Sequence, residues 1–235
     1  MLVLRQPPGA WGLPSISPFC TKLDLWLRIA GVPFTVKRAD PRAAPKGKMP
    51  YVELDGEVTG DSQLIIERLK VKYAVDPDAG LSADARARGH VVRRMLEEGT
   101  YFTLVHARWA VADAWAVYRA VFLSWMPPGI GPVVMYFVRR QVLSSLRAQG
   151  TGRHTGQEIE AMAIADYAAV AELLGDKPFL LGDEPTSVDA TVYAFVHGVL
   201  QFPVENAVQR FVRNQPKLVA YCDRITTRFY PTPST

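Results

Sequence analysis

The spacing of apolar positions alternates between strand and helix periods along the first 75 residues of this chain. Four short apolar runs are typical of strands: LVLR (2–5), PFTVK (33–37), YVEL (51–54) and EVT (57–59). The last two flank Asp55-Gly56, which is a two-residue hairpin signal. Apolar residues recur at helical spacing between positions 19 and 30 and again between 64 and 73. The pattern predicts strand, helix, strand, hairpin and helix, in that order.

Beyond the linker VDPDAGL (75–81), the apolar spacing is helical throughout. Ser82 can cap a long helix that we expect to run past Trp115, and a second helix is predicted from 133 to 148. Thr155 with Glu158, and Thr186 with Asp189, have the spacing of capping boxes, and a last helix follows Pro216. We therefore predict an α/β domain at residues 1–76 and an all-α domain at residues 82–230.

One apolar segment raises the question of a membrane span. Residues 120–138 form a run of 19 positions without a charge, which is close to bilayer-spanning length. The middle of the run is MPPGIGP, which would break a helix where unsatisfied backbone groups are costly. The sequence therefore predicts two helix ends joined by a proline-rich turn and no membrane span, with membrane association as the alternative.

Composition and charge narrow the classes of function. The net charge is +4 and the pI is about 9.1, and part of the basic excess lies at Arg139, Arg140, Arg147 and Arg153. Such a cluster could contact nucleic acid or a membrane surface. Because the chain carries no nucleic-acid-binding motif, the arginines are interpreted as a solvated helix face, and no nucleic-acid partner is expected.

Cysteine and histidine usage indicates a reducing compartment and no bound metal. Cys20 and Cys222 have neither metal-ligand nor disulfide-framework spacing, and the 4 histidines form no ligand pattern. The N-terminus lacks the charged region and long apolar run of a secretory signal. We therefore expect a cytoplasmic protein without a metal.

Candidate chemistry begins with two short elements of the first domain. Ser17 and Pro18 open the first helix, where unpaired N–H groups and the helix dipole stabilise an anion such as a thiolate. Lys48-Met49-Pro50 precedes a strand, so Pro50 is a candidate cis-proline. Such a bend would leave the backbone of Met49 free to pair with a peptide-like ligand.

A third element, Asp61-Ser62, opens the second helix. The N–H and hydroxyl of Ser62 could hold a carboxylate while Asp61 pairs with an ammonium group, and Lys48 could meet another carboxylate. Each element also has an ordinary structural interpretation, as a helix cap or a strand-edge proline. Together the three elements describe a site for a peptide-like thiol with a charged amino-acid head.

In this order and at this spacing, SPFC (17–20), KMP (48–50) and DS (61–62) resemble the glutathione transferase superfamily. FLLGDEPTSVDATVYAFV (179–196) resembles the family's stretch in which a capping box opens a buried helix, so the resemblance covers nearly the whole chain. SPFCTKLDLWLRIAGVPF and GKMPYVE are more narrowly similar to the Fax-like branch, which is related to metaxins. The resemblance implies a thioredoxin-like N-terminal domain, an all-α C-terminal domain and a homodimer.

The resemblance also implies a role for each candidate residue. Ser17 would be catalytic and hydrogen-bond the sulfur of bound glutathione. Met49 would pair with the cysteinyl backbone through its main chain, Asp61 and Ser62 would hold the glutamyl end, and Lys48 would meet the glycyl carboxylate. The implied activity is an enzymatic attack of the glutathione thiolate on an apolar electrophile. A non-catalytic binding or scaffold protein of the same fold, like the metaxins, is the alternative.

Other side chains near Ser17 have open roles at this level. Trp11 would border the site or pack beneath it. Cys20 lies almost one turn inside the helix and is interpreted as a packing residue, with a thiol oxidoreductase acting through Cys20 alone as a third hypothesis. Five aromatic side chains could line an apolar pocket but are interpreted as core: Tyr101, Phe102, Trp109, Trp115 and Tyr118.

Overall fold

The computed structural model describes residues 1–127 and 129–231, and its first domain is built on a four-stranded mixed sheet. The strands are β1 (Leu2–Gln6), β2 (Phe34–Arg38), β3 (Tyr51–Leu54) and β4 (Glu57–Gly60), in the spatial order β2-β1-β3-β4. Helix α1 (Pro18–Ile29) connects the parallel pair β1 and β2, and helix α2 (Ser62–Tyr73) follows β4. The predicted order of elements in this domain is confirmed.

The hairpin between β3 and β4 is formed by the two residues that predicted it. Asp55 and Gly56 both adopt positive φ, 53° and 83°, which the tight turn between antiparallel strands requires. The hairpin matters for function because its register fixes which residues before β3 and after β4 lie side by side.

In the described residues after the linker the regular elements are helices, as predicted, apart from an isolated β-bridge between Phe179 and Gly182. The α-helices are α3 (Ala83–Arg94), α4 (Tyr101–Trp109), α5 (Ala112–Ser124), α6 (Gly131–Gln149), α7 (Gly156–Leu174), α8 (Ser187–Leu200), α9 (Ala207–Arg213) and α10 (Pro216–Phe229). A π-helical segment, Met95–Thr100, joins α3 to α4 without a break. The chain therefore has the predicted α/β and all-α parts, which is the architecture of the glutathione transferase fold.

The predicted caps of the long helices are formed. The Ser82 hydroxyl accepts the N–H of Ala85 at 3.1 Å and opens α3. Glu158 accepts the backbone N–H of Thr155 at 2.8 Å, and the buried carboxylate of Asp189 does the same for Thr186 at 2.8 Å. These contacts are local, which is why the sequence pattern was sufficient to place them.

The prediction that the first long helix runs past Trp115 is wrong. It ends at Trp109, and a new helix starts at Ala112. The cause lies in α6: Arg139 donates from Nε to the carbonyl of Trp109 at 2.9 Å and from Nη2 to that of Ala110 at 3.3 Å. A guanidinium that satisfies the last carbonyls of a helix stabilises its end, and this partner is remote in sequence.

Helix α9 has no counterpart among the predicted elements. It spans seven residues, and the Asn206 side chain accepts the N–H of Gln209 at 2.9 Å as its cap. In the predicted turn between α5 and α6, Pro128 lies outside the described residues. No helix of residues 1–127 and 129–231 combines the length and apolar character needed to cross a membrane.

The two parts of the chain share one hydrophobic core. Trp26 of α1 is fully buried and donates from Nε1 to the hydroxyl of Ser187, at the start of α8, at 3.0 Å. The same buried cluster contains Leu23 from the first domain and Tyr193 and Phe195 from α8. Helix α1 is thus covered by the helical domain, and its N-terminus is held at the junction.

Candidate functional site

The register of the sheet brings the three candidate elements to one edge. Arg5 of β1 pairs with Tyr51, and Tyr51 pairs with Gly60. The residues just before β3 and just after β4 therefore lie beside the end of β1. The loop from β1 to α1 is tied to the same edge, because the Ser15 hydroxyl donates to the carbonyl of Pro7 at 3.2 Å.

The peptide bond between Met49 and Pro50 is cis, as the sequence suggested. Pro50 is buried, Met49 is half-buried and Lys48 is exposed. Both ladders of β3 begin at Tyr51, so the main chain of Met49 lies outside the paired part of the sheet. This geometry suits a backbone that pairs with an extended ligand.

Asp61 has the ordinary role of a helix cap in addition to any role in binding. Its Oδ1 accepts the N–H groups of Gln63 at 2.9 Å and Leu64 at 3.2 Å. The residue has φ 78°, an uncommon conformation for a side chain other than glycine. Ser62 is the first residue of α2 and is buried. An amino acid's carboxylate placed here would meet the N-terminus of a twelve-residue helix.

Ser17 stands at the N-cap of α1, but its side chain does not perform the predicted capping. Its carbonyl accepts the N–H of Thr21 at 3.0 Å, as an N-cap carbonyl does. Its hydroxyl makes no capping hydrogen bond in the described part of the chain, and the residue is half-buried. The Ser17 hydroxyl is therefore not committed to stabilising the helix.

Cys20 is a packing residue. Its side chain is 0% exposed. Burial raises the pKa of the thiol to about 12, although the nearby hydroxyls of Ser17 and Ser15 favour the thiolate. A thiol that stays protonated at neutral pH is a poor nucleophile. The burial of Cys20 thus speaks against redox chemistry at this position.

Arg108 of α4 places a buried positive charge directly behind Ser17. The residue is 3% exposed, and it donates from Nη1 to the carbonyl of Ile16 at 2.9 Å and from Nη2 to that of Gly198 at 3.0 Å. Within the described residues it has no carboxylate partner; its guanidinium instead lies 5.6 Å from the ring centre of Tyr118 and 5.4 Å from that of Phe202. The sequence analysis missed this residue, and its position on an apolar helix face in VHARW was the available signal.

An aromatic cluster borders the same end of α1. The edge of the Trp11 ring meets Phe202, with centroids 5.2 Å apart, and Tyr118 and Phe122 are 5.1 Å apart. Ile16, which precedes Ser17, belongs to this cluster. Trp11 is thus half-buried against the helical domain, and its side chain both packs and faces the junction. Burial raises the pKa of Tyr118, so its hydroxyl is neutral at physiological pH.

The hairpin of α5 and α6 extends this cluster to the first domain. Arg38, at the end of β2, donates from Nη2 to the carbonyl of Trp125 at 2.5 Å. The parallel strands β1 and β2 both end at this edge, so the hairpin tip lies beside the candidate site. The surroundings of Ser17 are therefore apolar on the side of the helical domain and polar on the side of the sheet.

A separate cavity of about 130 Å³ lies within the helical domain, among α4, α7, α8 and α9. Leu104, Arg108, Tyr167 and Phe202 contribute to its walls, whereas Ser17 does not. We place the candidate site at the sheet edge, because the cavity lacks the residues of the three elements.

A buried ion pair joins α1 to the helical domain. Lys22 Nζ lies 2.5 Å from Oε1 of Glu97, in the π-helical segment, and donates to Oε1 of Gln63 at 2.8 Å. Arg93 and Thr191 complete the contacts of Glu97. Gln63 directly follows Ser62, so the start of α2 is fixed to both domains. No three potential metal ligands are grouped anywhere in residues 1–127 and 129–231.

Comparison with known proteins identifies the family. A profile of the glutathione S-transferase N-terminal domain matches residues 18–115, and one of the C-terminal domain matches residues 163–225. In solved structures the fold resembles a β-etherase, LigF, from Sphingobium (TM-score 0.66, 21% identity, 99% of this chain and 96% of that one). It also resembles a Methylobacterium radiotolerans glutathione S-transferase in complex with glutathione sulfonate (TM-score 0.61, 19% identity, 100% and 96%).

The related sequences include an enzyme and proteins with other names. The chain is 33% identical to an isoprene-epoxide glutathione S-transferase from Rhodococcus, over 94% of this chain and 95% of that protein. It is 29% identical to Failed axon connections of Drosophila melanogaster and 30% identical to human Metaxin-1, covering 93% and 95% of this chain but only 56% and 50% of those proteins. From these matches and the fold, the chain belongs to the glutathione S-transferase superfamily and to the part of it that includes Failed axon connections and the metaxins.

Proposed function

We propose that this protein is a glutathione transferase whose bound glutathione thiolate attacks an apolar electrophile. The observation that carries the proposal is the meeting of Ser17, Met49 and the Asp61-Ser62 pair at one sheet edge, beside an aromatic wall from the second domain. The polar groups at the sheet edge suit the glutathione tripeptide, and the aromatic side chains of the second domain suit an apolar co-substrate.

Each candidate residue would bind the part of glutathione that matches its chemistry. The γ-glutamyl carboxylate would lie against the N-terminus of α2 at Ser62, with the Asp61 carboxylate near its ammonium group. Met49 would pair with the cysteinyl backbone through its main chain, and the exposed Lys48 is available to the glycyl carboxylate. These contacts fix the peptide so that its sulfur points to the start of α1.

Three features then favour the thiolate over the thiol. The Ser17 hydroxyl, which caps nothing, would donate a hydrogen bond to the sulfur. The N-terminus of the twelve-residue helix α1 adds the positive end of its dipole. The buried guanidinium of Arg108, which has no carboxylate partner in the part of the chain that the structure describes, donates to the carbonyl of Ile16 just before Ser17 and adds a positive charge in a poorly solvated place. All three lower the pKa of a bound thiol.

An epoxide is the electrophile to test first, because the Rhodococcus relative is named for one. In that reaction the sulfur forms a bond to a ring carbon, the C–O bond breaks, and the released alkoxide takes a proton from water. The ring strain drives the opening, so the protein needs only to supply the thiolate and an apolar surface for the hydrocarbon part. Here the aromatic cluster around Trp11 and Tyr118 supplies that surface.

The decisive experiment compares Ser17→Ala with wild type in a glutathione conjugation assay, using a small apolar epoxide and chlorodinitrobenzene. Removing a hydrogen-bond donor from an anion in an enclosed site reduces kcat/KM by about 100-fold or more. We expect the pKa of bound glutathione, read from thiolate absorbance, to rise in the same variant. Cys20→Ala is the matched control and retains activity.

Two outcomes would change the assignment of the chemistry. Full activity in Ser17→Ala removes Ser17 from the chemistry. Loss of activity in Cys20→Ala alone, with reduction of glutathione mixed disulfides by the wild type, indicates the oxidoreductase hypothesis instead.

Binding of glutathione, rather than turnover, distinguishes the proposed enzyme from a non-catalytic scaffold protein of the same fold. We expect the protein to be retained on immobilised glutathione and Asp61→Ala to elute early, with circular dichroism and melting temperature reported because Asp61 also caps α2. A wild type that is not retained and does not catalyse favours a non-catalytic protein of this fold. The homodimer stays a prediction from the family and is checked by light scattering on the same sample.

A further inference from the structure

The outer end of α6 carries an apolar surface that no part of the described chain covers. Five large apolar residues there are between 40% and 62% exposed: Ile130, Val133, Val134, Tyr136 and Phe137. We call this group the α6 tip. It lies in the uncharged run of residues 120–138, on the opposite side of the hairpin from the aromatic cluster around Tyr118. Large apolar side chains exposed together on a helix end are typical of an interaction site.

Cations lie directly behind the α6 tip on the same face of the helix. Val133, Tyr136 and Phe137 are followed at helical spacing by Arg140 and Arg147, and both arginines are exposed. With a rise of about 1.5 Å per residue, the two arginines lie roughly 5 and 15 Å behind Phe137 along the axis. Helix α6 is therefore apolar at its N-terminal tip and basic along the following turns of the same face.

The region lacks acidic groups that would neutralise these cations. From Ala114 to Gln157 the sequence contains arginine but neither aspartate nor glutamate. Asp113 and Glu158 lie in the first turns of α5 and α7, at the other end of the hairpin from the tip. On strand β2 Arg38 adds a further cation, and the next carboxylate along the chain, that of Asp40, accepts from Arg42 at 3.0 Å.

We propose that the α6 tip docks onto the surface of an anionic lipid bilayer. A peripheral helix that combines an apolar end with basic residues buries its apolar side chains about 5–10 Å into the boundary between headgroups and acyl chains. Arg140 and Arg147 then reach the anionic headgroups, and Tyr136 places an amphipathic ring at the interface, where tyrosine is enriched. The docking is peripheral and needs no spanning helix.

Charge argues for a bilayer rather than a second copy of the chain. In a two-fold contact between α6 tips, each surface meets its own copy, so the arginines of both copies approach each other. The acid-free stretch offers no carboxylate to separate them, and like charges in contact disfavour such an interface. An anionic headgroup layer supplies the missing negative charge.

The test is co-sedimentation of the purified protein with vesicles of phosphatidylcholine alone and of phosphatidylcholine with phosphatidylserine. We expect binding to the anionic vesicles that weakens as salt is added, because exposed charges are screened. Arg140→Ala/Arg147→Ala reduces the partition coefficient by about fivefold for each arginine. Val133→Ser/Phe137→Ser abolishes binding, because it removes the inserted side chains.

Matched variants elsewhere on the surface make the result specific. Val71 and Val91 are 84% and 64% exposed on other helices, and Arg210 and Arg213 are exposed on α9, so Val71→Ser/Val91→Ser and Arg210→Ala/Arg213→Ala should bind like wild type. Equal partition of wild type into neutral and anionic vesicles, or none into either, overturns the proposal. It is also overturned if Val133→Ser/Phe137→Ser changes the mass in light scattering but not vesicle binding, because the tip is then a contact between copies.

Discussion

At the scale of single residues, the side chains that matter near Ser17 are distinguished by burial. Ser17 and Cys20 are close in sequence, yet Ser17 is half-buried and its hydroxyl makes no capping hydrogen bond among the described residues, whereas the Cys20 thiol is fully buried with its pKa raised to about 12. Arg108 is buried too, and its guanidinium donates to the carbonyls of Ile16 and Gly198. Its charge and its bond to Ile16 both act on the Ser17 backbone.

We predict that Arg108→Met lowers both stability and activity. The carbonyls of Ile16 and Gly198 lose their donor in a buried place, so the free energy of unfolding should fall by about 2–3 kcal/mol. On the proposed function, the pKa of bound glutathione rises and kcat/KM falls by at least about tenfold. Urea denaturation and thiolate absorbance measure the two effects.

Arg139→Met is the matched control, because Arg139 also donates to two backbone carbonyls, those of Trp109 and Ala110, and makes no hydrogen bond to Ile16 or Ser17 among the described residues. It should lose stability and leave the thiol pKa unchanged. If both variants have the same thiol pKa, Arg108 is only structural.

At the scale of elements, α1 is fixed from both sides. The sheet covers one face, α8 the other, and Lys22 extends from α1 to Glu97 in the π-helical segment. Lys22 is 1% exposed, and burial lowers its pKa more than Glu97 raises it. Because π-helical segments often occur at functional sites, the position of Glu97 is consistent with a role in holding α1 and the start of α2 together.

We predict that Lys22→Met destabilises the protein by about 3–5 kcal/mol, because it leaves Glu97 buried without its closest cation. The double variant Lys22→Met/Glu97→Gln should recover part of this loss, since no buried charge remains. Urea denaturation of the two single variants and the double variant gives the coupling energy. The exposed pair Lys72–Asp55 is the control, and Lys72→Met should lower the free energy of unfolding far less than Lys22→Met does, because solvent screens the exposed pair. Additive effects in the Lys22 series would contradict this account of the pair.

At the scale of the whole molecule, the two parts of the chain share one core, so protonation of one buried side chain changes the stability of the whole protein. His197 of α8 is buried and stacks on Tyr193, with ring centres 4.7 Å apart. Burial lowers its pKa from the ordinary 6.5 to about 4, although Asp223 raises it slightly. The unfolded chain therefore binds a proton at a higher pH than the folded one does. Stability is present above pH 6.5 and is lost as the pH falls towards 4.

We predict that His197→Gln reduces the acid sensitivity of folding. Between about pH 7.5 and about pH 5, the wild type should lose roughly 2 kcal/mol more than the variant. Other buried groups such as Asp189, whose pKa is raised by burial, titrate in both proteins and cancel in the comparison. Urea midpoints of both proteins at the two pH values provide the measurement. Equal pH dependence would show that the pKa of His197 is the same in the folded and unfolded chains, which would contradict the shift caused by burial.

The sequence determined the features that depend on neighbours along the chain. The hairpin turn, the caps at Ser82, Thr155 and Thr186, and the cis Met49–Pro50 bond were all predicted from short patterns, because each rests on local backbone chemistry. The order of the three candidate elements was likewise enough to indicate the family. The short helix α9 was missed because seven residues carry too little periodic signal.

Only the tertiary structure decided which side chains are buried and what they face. The end of α4 depends on the hydrogen bonds from Arg139, and the positive charge behind Ser17 comes from Arg108. The start of α2 is held in place by the buried pair of Lys22 and Glu97. Each partner is distant in sequence, and the free energy of a buried charge is set by its surroundings rather than by its neighbours in the chain. Ser17 was therefore predictable as a candidate, whereas the lack of a capping bond from its hydroxyl among the described residues and the burial of Cys20 were decided by the tertiary structure.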